Sequence, residues 1–364
     1  MAKKDNKKHN PLFHIAKRDP MAWYAAFAVR AAAVIGALVF SAVIIVILTG
    51  ENPISFYSSM IDGAFGMKDR VWILLKNTAF LLSFALAVTP AFKMKFWNIG
   101  AEGQVLISGL ATICVMFFFG GKLPTPVLLL AMLASGVAAA VIWAVIPAVA
   151  KAFWNTNETL FTLMMNYIAI QFVSFFLKKY GKGGSGTIEV MHDVGIPAIN
   201  GNDYIFSIVV IAVLTVIMYI YLKYSKQGYE ISVVGESVNT AKYIGLNVKK
   251  VIIRTLVVSG ILCGITGFLL IGGVEKVITT DTTGGRGFTA IMVSWLAKFN
   301  PIIMIFTSFL IVFLEVGAKQ VSTDFNIPED ISDIITGIIL FFIIGCEFFL
   351  QYKIIFTKHR KENK

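Results

Sequence analysis

The chain has 364 residues, of which 57% are hydrophobic and only 15% charged, with a mean hydropathy of +0.77 and a net charge of +11. Soluble domains carry about a quarter charged residues, so this composition excludes an ordinary soluble protein. Apolar runs of about twenty residues predict helices that cross a ~30 Å hydrocarbon layer. We predict an all-α polytopic membrane protein with about ten transmembrane helices.

Ten apolar segments follow one another along the chain. They cover residues 25–49, 71–92, 98–119, 127–150, 159–177, 204–222, 251–272, 287–297, 302–316 and 331–351. The eighth segment has eleven residues, too few to cross a bilayer at a rise of 1.5 Å per residue. It is predicted to be half of a broken helix or a re-entrant piece, which leaves nine or ten crossings.

The distribution of Lys and Arg predicts the orientation. With an inner N-terminus, the inner segments hold 20 of these residues and the outer segments hold 9. We predict a multi-pass membrane protein with both termini cytoplasmic. A disordered basic tail (1–24) precedes a transmembrane domain (25–351) whose longest cytoplasmic loop is 223–250, and a second basic tail follows (352–364). The first apolar run is too long for a signal-peptide core, so it is predicted to be an uncleaved span.

Little in the chain is typical of catalysis. Cys114, Cys263 and Cys346 each fall inside a predicted span, which argues against a disulfide framework. The four histidines lie outside the spans and no cluster has metal-ligand spacing. There is no phosphate-binding G-x-x-x-x-G-K-[ST] motif. We predict no catalytic residue, metal site or cofactor in this chain.

The second to fifth segments resemble the seventh to tenth. "GQVLISGLA" (103–111) aligns with "TAIMVSWLA" (289–297), Lys76 and Arg254 lie one turn into matching spans, and acidic starts open the fifth and tenth spans. An offset of five spans predicts an inverted repeat, although helices of similar composition can match by chance. Glycine-interrupted polar stretches at matching places (98–104 and 284–289) are typical of transport pathways. Gly100 and Gly103 there allow a helix break or a close backbone approach.

Ionisable groups inside the spans are few. Glu315 and Glu347 lie near span ends, and Lys76 and Arg254 can extend their side chains to the interface. Glu102 remains, about one turn into the third span, where a helix N-terminus favours its charge. It is predicted to line a pathway or to cap a helix.

The loop 223–250 contains a predicted short helix over 238–244. Ser237 is suited to its N-cap and Gly245 to its C-terminal stop. So short a helix is unstable alone, so it either docks on a partner or is one helical turn in a solvated loop.

Five motifs carry a resemblance. They are "FWNIGAEGQVLISGL" (96–110), "NETLFTLMMNYIA" (157–169), "GYEISVVGESVNTAKYIGL" (228–246), "SGILCGITG" (259–267) and "GRGFTAIMVSWLAKFNP" (285–301). Together, over about residues 70–351, they resemble the permease subunits of bacterial ABC importers for ribose-type sugars and nucleosides, and the first two are most similar to the nucleoside permeases.

The resemblance implies an inverted-repeat fold, a second permease subunit, two cytoplasmic ATPase subunits that bind ATP and Mg²⁺, and an extracellular substrate-binding lipoprotein. It implies that 235–245 is the coupling helix that moves with the ATPase. The residues expected to contact the ATPase are Gly235, Glu236, Ser237, Asn239, Ala241, Lys242, Tyr243 and Gly245. Ser237-Val238 replaces an Asn-Pro pair that is frequent in the family, which leaves the helix start and partner specificity open.

A nucleoside offers a ring face and several hydrogen-bonding edges. The residues that fit a low-affinity pathway by type and position are Asn98, Glu102, Gln104, Ser108, Asn166, Tyr167, Thr289, Ser294 and Trp295. Trp295 could instead pack between helices or anchor the interface, and Asn166 could form an interhelical hydrogen bond.

Alternatives to nucleoside import are a permease for ribose-type sugars or other small polar solutes, an ion-coupled secondary carrier, and a membrane-embedded enzyme or scaffold. The long basic N-terminus and the nucleoside-type motifs favour a heterodimer of two permeases over a homodimer.

Overall fold

The computed structural model describes residues 13–18, 22–181, 188–189, 194–199 and 201–356. The chain divides into a central unit, residues 67–313, and a terminal unit made of 1–66 and 314–364. The helices are α1 (Trp23–Thr49), α2 (Pro53–Phe65), α3 (Lys68–Lys93), α4 (Ala101–Phe119), α5 (Thr125–Trp154), α6 (Glu158–Tyr180), α7 (Tyr204–Tyr224), α8 (Lys226–Glu236), α9 (Val238–Tyr243), α10 (Val248–Phe268), α11 (Arg286–Leu296), α12 (Pro301–Phe325) and α13 (Glu329–Gln351). A π-helical segment, Leu269–Glu275, extends α10. The strands are β1 (Phe13–Lys17), β2 (Ile188–Glu189), β3 (Val277–Ile278) and β4 (Tyr352–Phe356).

The all-α membrane architecture is confirmed. Among the described residues, eight helical segments are long and apolar enough to cross a membrane, and α13 carries a shorter apolar stretch, Ile334–Leu350. Each of the ten predicted segments contains a helix, and α2 and α8 are additional. The third segment begins later than predicted, since α4 starts at Ala101 and Asn98 lies in the turn before it.

Helix α10 forms the centre of the central unit, where it packs against α3, α4 and α5. In the most apolar stretch of α10 and the π-helical segment, 72% of the residues are buried, whereas the corresponding fraction for α5 is 22%. Glycines allow this approach: a Cβ on Gly264 would lie 2.5 Å from the Val137 Cα, and one on Gly260 would lie 2.8 Å from the Val141 Cα. Small residues of this kind let helix backbones meet closely in membranes.

The predicted repeat has a counterpart in the packing. Helix α3 contacts α11, and α4 contacts α10, so the first helix of each half packs against the second helix of the other. In each half a lysine with positive φ follows the first helix, Lys95 (60°) and Lys276 (52°), and opens the connection to the second. The eighth segment is α11, whose 11 residues rise about 16 Å, half the hydrocarbon thickness.

The terminal unit corrects one expectation. Part of the predicted disordered tail, Phe13–Lys17, forms β1, which pairs antiparallel with β4, part of the other predicted tail. This pairing brings the two ends of the described chain together. Residues 1–12 and 357–364 lie outside the described part. In the same unit Tyr57 donates a hydrogen bond to the Leu38 carbonyl at 2.7 Å, and burial raises the pKa of Tyr57.

Candidate functional site

The starts of α4 and α11 meet through one carboxylate. Glu102, in the first turn of α4, accepts a hydrogen bond from the Gly285 N–H at 2.9 Å and another from the Gly287 N–H at 2.6 Å. Its side chain is buried, with 7% of the residue exposed. The two polar stretches that the sequence placed at matching positions are therefore in direct contact, and the negative charge lies where a helix N-terminus favours it.

Gly287 is required by this contact. A Cβ at that position would lie 2.6 Å from Glu102 Oε2 and 2.7 Å from the Glu102 backbone nitrogen. A backbone neighbour cannot move as a flexible side chain can, so any larger residue would push the two helix starts apart.

The turn before α4 is held by its own asparagine. Asn98 Oδ1 accepts from the Gly100 N–H at 3.1 Å and from Gln104 Nε2 at 3.3 Å, while Nδ2 donates to Ser259 Oγ of α10 at 3.4 Å. Asn98 is fully buried. Gln104 Oε1 is buried without a hydrogen-bond partner within the described chain. The amides thus fix the turn against α10 and leave one acceptor unused.

Helix α6 holds the same turn from the other side. Asn166 Oδ1 accepts from the Gly103 N–H at 2.8 Å and Nδ2 donates to the Ile99 carbonyl at 2.9 Å. The Ile99 N–H donates to Thr162 Oγ1 at 3.2 Å. A Cβ on Gly103 would lie 2.9 Å from the Asn166 Cα. Asn166 therefore forms the interhelical hydrogen bonds that were one of its two predicted roles.

This polar centre, formed by residues 98–104, Asn166, Ser259 and 285–287, lies inside the bundle. Helices α6 and α10 start at the same end of the bundle, because Lys249 of α10 lies 4.6 Å from the centre of the Phe153 ring just before α6. Asn166 follows Glu158 by eight residues, and Ser259 follows Val248 by eleven. At the helical rise these side chains lie about 12 Å and 17 Å into the bundle. The half-helix α11 therefore begins near mid-depth, as in discontinuous transporter helices.

Two further predicted residues join helices elsewhere in the bundle. Ser294 of α11 lies 2.9 Å from Thr89 of α3, hydroxyl to hydroxyl. Ser108 of α4 donates to the Gly264 carbonyl of α10 at 2.8 Å. Both serines are fully buried. They hold the crossed helix pairs together.

The predicted pathway residues thus separate into two sets. The buried set, whose hydrogen bonds are within the protein, is Asn98, Glu102, Gln104, Ser108, Asn166 and Ser294. Tyr167 and Trp295 are exposed, by 56% and 50%, and Thr289 is partly exposed. Tyr167 follows Asn166 directly, so its side chain points about 100° further around α6 than that of Asn166.

An exposed aromatic face borders this centre, and sequence reasoning recognised only part of it. The ring centroids of Trp97 and Trp295 are 5.3 Å apart, with an interplanar angle of 54°. Trp97 is 41% exposed and Phe288, on the same side of α11 as Trp295, is 48% exposed. Spacing of i and i+7 on α11 could have indicated the Phe288–Trp295 pair, but the contact with Trp97 joins distant parts of the chain.

The predicted short helix in the loop 223–250 is confirmed as α9. Ser237 Oγ accepts from the Thr240 N–H at 3.2 Å, which is an N-cap. Gly245 has φ +83° after the helix end, and the Leu246 N–H donates to the Ala241 carbonyl at 2.9 Å. The caps read from the sequence therefore form as predicted.

Helix α9 touches the protein on one side only. Of its residues Ala241 alone is fully buried, in an apolar core with Met94, Phe96, Ile231 and other residues of α3, α5, α8 and α10. The remaining predicted ATPase contacts divide by burial. Gly235 is buried, Ser237 is partly exposed, and Glu236, Asn239, Lys242, Tyr243 and Gly245 are exposed.

The base beneath α9 is tightly built. A Cβ on Gly235 of α8 would overlap the Lys93 carbonyl oxygen at the end of α3. Glu230 of α8 forms a 2.6 Å ion pair with Arg254 of α10. Phe96, which packs in the same core as Ala241, lies two residues before Asn98. A rigid path therefore joins α9 to the turn that holds the polar centre.

Charged side chains of the central unit also pair near the other end of α3. Lys76 lies 3.8 Å from Glu275 and 5.5 Å from the centre of the Tyr204 ring. Arg286 donates to Asn77 Oδ1 at 3.1 Å. These contacts tie α3 to the π-helical segment and to the start of α11.

Similar proteins are transport permeases. The chain is 29% identical over 309 residues to the guanosine ABC transporter permease of Bacillus subtilis, covering 82% of this chain and 88% of that one. It is 26% identical to the nucleoside ABC transporter permease of Lactococcus lactis (82% and 86% covered) and 26% identical to the glucose ABC transporter permease of Haloferax volcanii (95% and 94% covered). The family model described as branched-chain amino acid transport system / permease component matches residues 71–344, so the chain belongs to this family of ABC transporter permeases and is a multi-pass membrane protein.

Proposed function

We propose that this chain is the membrane-spanning subunit of an ABC importer for nucleosides. The observation that carries the proposal is α9, a capped helix that is exposed on all sides but one and seated on a core shared by α3, α5, α8 and α10. The similarity to guanosine and nucleoside permeases supports the substrate class.

Helix α9 is the coupling helix in this proposal. Tyr243 is 92% exposed, and Val238 and Ile244 are 45% and 50% exposed, which gives the helix an apolar and aromatic surface for a groove on an ATPase. Aromatic residues are frequent anchors at interfaces. In this proposal ATP and Mg²⁺ bind on that ATPase.

Movement of α9 reaches the polar centre through packed atoms. Ala241 and Phe96 share one core, and Asn98 follows Phe96 in the turn before α4. Closure of two ATPase subunits would displace α9 as a rigid body and shift this turn relative to α11. Because Glu102 lies in the first turn of α4 and accepts from two N–H groups at the start of α11, the shift alters the position of the half-helix.

The substrate passes along the exposed aromatic face. Trp97, Trp295 and Phe288 offer ring surfaces to a nucleobase, and Thr289 offers a hydroxyl beside them. Of the predicted pathway residues, the buried amides and Glu102 shape the pathway by positioning α4 and α11. Glucose is the second candidate substrate, because the similarity to the glucose permease extends over 95% of the chain.

The proposed partners are a second permease, two ATPase subunits and an extracellular lipoprotein that delivers the nucleoside. Two guanosine ABC transporter permeases of Bacillus subtilis resemble this chain, at 29% and 28% identity over 82% and 56% of its length, which favours a heterodimer. The complex lies in the bacterial plasma membrane with both termini of this chain cytoplasmic.

Reconstituted uptake tests the proposal. The complex in liposomes should accumulate labelled guanosine only with hydrolysable ATP, and ionophores should not abolish uptake. Uptake of glucose but not guanosine would assign the sugar function, and uptake driven by an ion gradient without ATP would assign a secondary carrier.

A variant of α9 tests the coupling role. Tyr243→Ala should weaken ATPase binding by about tenfold, the effect of losing an aromatic interface anchor. Tyr224→Ala, which removes a tyrosine that is 68% exposed at the end of α7, is the matched control. Equal ATPase binding by the two variants would contradict the role of α9.

A further inference from the structure

An open cavity of about 630 Å³ lies at the end of the central unit where α5 ends and α10 begins. We call it the basic pocket. Its apolar wall is formed by Phe153, Ile253 and Val257, and its charged wall by Lys249, Lys250 and Arg254. Neither the coupling role of α9 nor the polar centre uses these side chains.

Of the three cations of the basic pocket, only Arg254 is paired with an acid in the described part of the chain. Across the described part of the chain, no carboxylate lies within ion-pair distance of Lys249 or Lys250, and the only acid paired with Arg254 is Glu230. The Arg254 Nε is buried without an acceptor in that same part. The N-terminus of α10 adds its own partial positive charge. The pocket therefore attracts an anion.

The charged and apolar side chains of the basic pocket follow one another along α10. Lys249, Ile253 and Val257 recur every four residues on one face of α10, so on this face a cation lies in the first turn and apolar side chains lie in the next two. Arg254, which follows Ile253, is a cation of the second turn. Phe153 and Trp154 at the end of α5 are 58% and 73% exposed, as aromatic residues at a membrane interface are. The two lysines lie nearer the start of α10 than the apolar side chains of Ile253 and Val257.

A phospholipid has the same order of charge and hydrocarbon. We propose that the basic pocket binds an anionic phospholipid, with its phosphate at Lys249, Lys250 and Arg254 and an acyl chain along Ile253 and Val257. Basic pockets on the cytoplasmic side of membrane proteins attract such headgroups. The assignment to the inner leaflet rests on the proposed function, since α9 marks this end as cytoplasmic.

The bound lipid would act on the coupling region. Arg254 contacts the pocket and also pairs with Glu230 of α8, the helix that carries α9. A phosphate beside Arg254 would order this side chain and the α8–α10 contact. The lipid would thereby stiffen the path between α9 and the transmembrane helices.

Lipid retention by the purified full-length chain tests the proposal without ATP or nucleoside, so its outcome is independent of the transport assays. Nanodiscs of phosphatidylcholine are doped with phosphatidylglycerol, and the lipid that stays bound after detergent extraction is counted by native mass spectrometry. The double variant Lys249→Gln/Lys250→Gln should retain phosphatidylglycerol roughly 10- to 30-fold less well, since each lysine near an anionic surface contributes about a factor of five.

The chain supplies a matched control. Lys178 and Lys179 are adjacent exposed lysines at the end of α6, and Lys179 lies 5.3 Å from the Tyr180 ring, as Lys249 lies near Phe153. Lys178→Gln/Lys179→Gln should retain the lipid as the unmodified chain does. Lys249→Arg/Lys250→Arg, which keeps both positive charges, should retain the lipid as the unmodified chain does.

Several results would overturn the proposal. Equal retention by the two glutamine variants would remove the basic pocket as the lipid site. Displacement of the lipid by millimolar inorganic phosphate would identify a free-anion site. A 249/250 glutamine variant that keeps the lipid but no longer binds the purified ATPase would assign the pocket to the ATPase.

Discussion

Glu102 offers the sharpest test of how the two halves are joined. Its carboxylate bonds to the Gly285 and Gly287 N–H groups, so Glu102→Ala leaves two buried donors without acceptors. Glu102→Gln keeps one acceptor but turns an NH₂ group toward a backbone N–H. Both variants remove the charge at the start of α11.

The expected cost can be worked out bond by bond. Polar contacts within membrane bundles contribute about 0.6 to 1.7 kcal/mol each, and a charge at a helix N-terminus about 0.3 to 1 kcal/mol. Two bonds and the charge therefore give roughly 1.5–4.5 kcal/mol for Glu102→Ala, and the cost of Glu102→Gln should lie between zero and this value.

Thermal unfolding in detergent measures this cost. Glu102→Ala should lower the unfolding midpoint by several degrees, and guanosine uptake by the complex should fall because α11 loses its anchor. Glu315→Gln is the control, since Glu315 is exposed and its 3.9 Å pair with Lys319 is a surface contact. If Glu102→Gln and Glu102→Ala unfold at the same temperature as Glu315→Gln, the carboxylate does not hold the two halves together.

Three further predictions concern a helix contact, the aromatic face and the coupling loop. Gly103→Ala should lower the yield of folded protein in size-exclusion chromatography, because its Cβ would lie 2.9 Å from a backbone atom of α6, whereas Gly337→Ala has nothing within 4 Å and should be neutral. Trp97→Ala should reduce guanosine uptake several-fold at an unchanged unfolding temperature, and unchanged uptake would remove this ring from the pathway. Gly245→Ala, which forces a side chain to adopt φ +83°, should cost about 1–2 kcal/mol locally and lower guanosine-stimulated ATP hydrolysis. Gly121→Ala, at φ +73° with open space around it, should leave hydrolysis unchanged.

Some features depend only on local chemistry and could be predicted from the sequence. Long apolar runs must form helices in a bilayer, because an unpaired backbone group there is too costly. Eight of the ten predicted segments are helices long and apolar enough to cross, the tenth is a shorter apolar helix among the described residues, and the eighth was recognisable as too short. The limits of α9 followed from Ser237 and Gly245, whose capping uses atoms within a few residues. The pairing of the two tails did not follow, since β1 and β4 are more than 300 residues apart.

The sequence by itself determined the class of protein, its spans, its short exposed helix and the chemical types gathered around residues 98–104. Only the tertiary structure decided which role each of these polar side chains has. A polar side chain that lines a pathway and one that holds a turn can be of the same residue type, and the difference lies in which backbone groups bond to it. Asn166 accepts from the N–H of Gly103, and Glu102 accepts from the N–H groups of Gly285 and Gly287. Those groups come from chain segments 63 and more than 180 residues away, so folding alone brings them within hydrogen-bond distance.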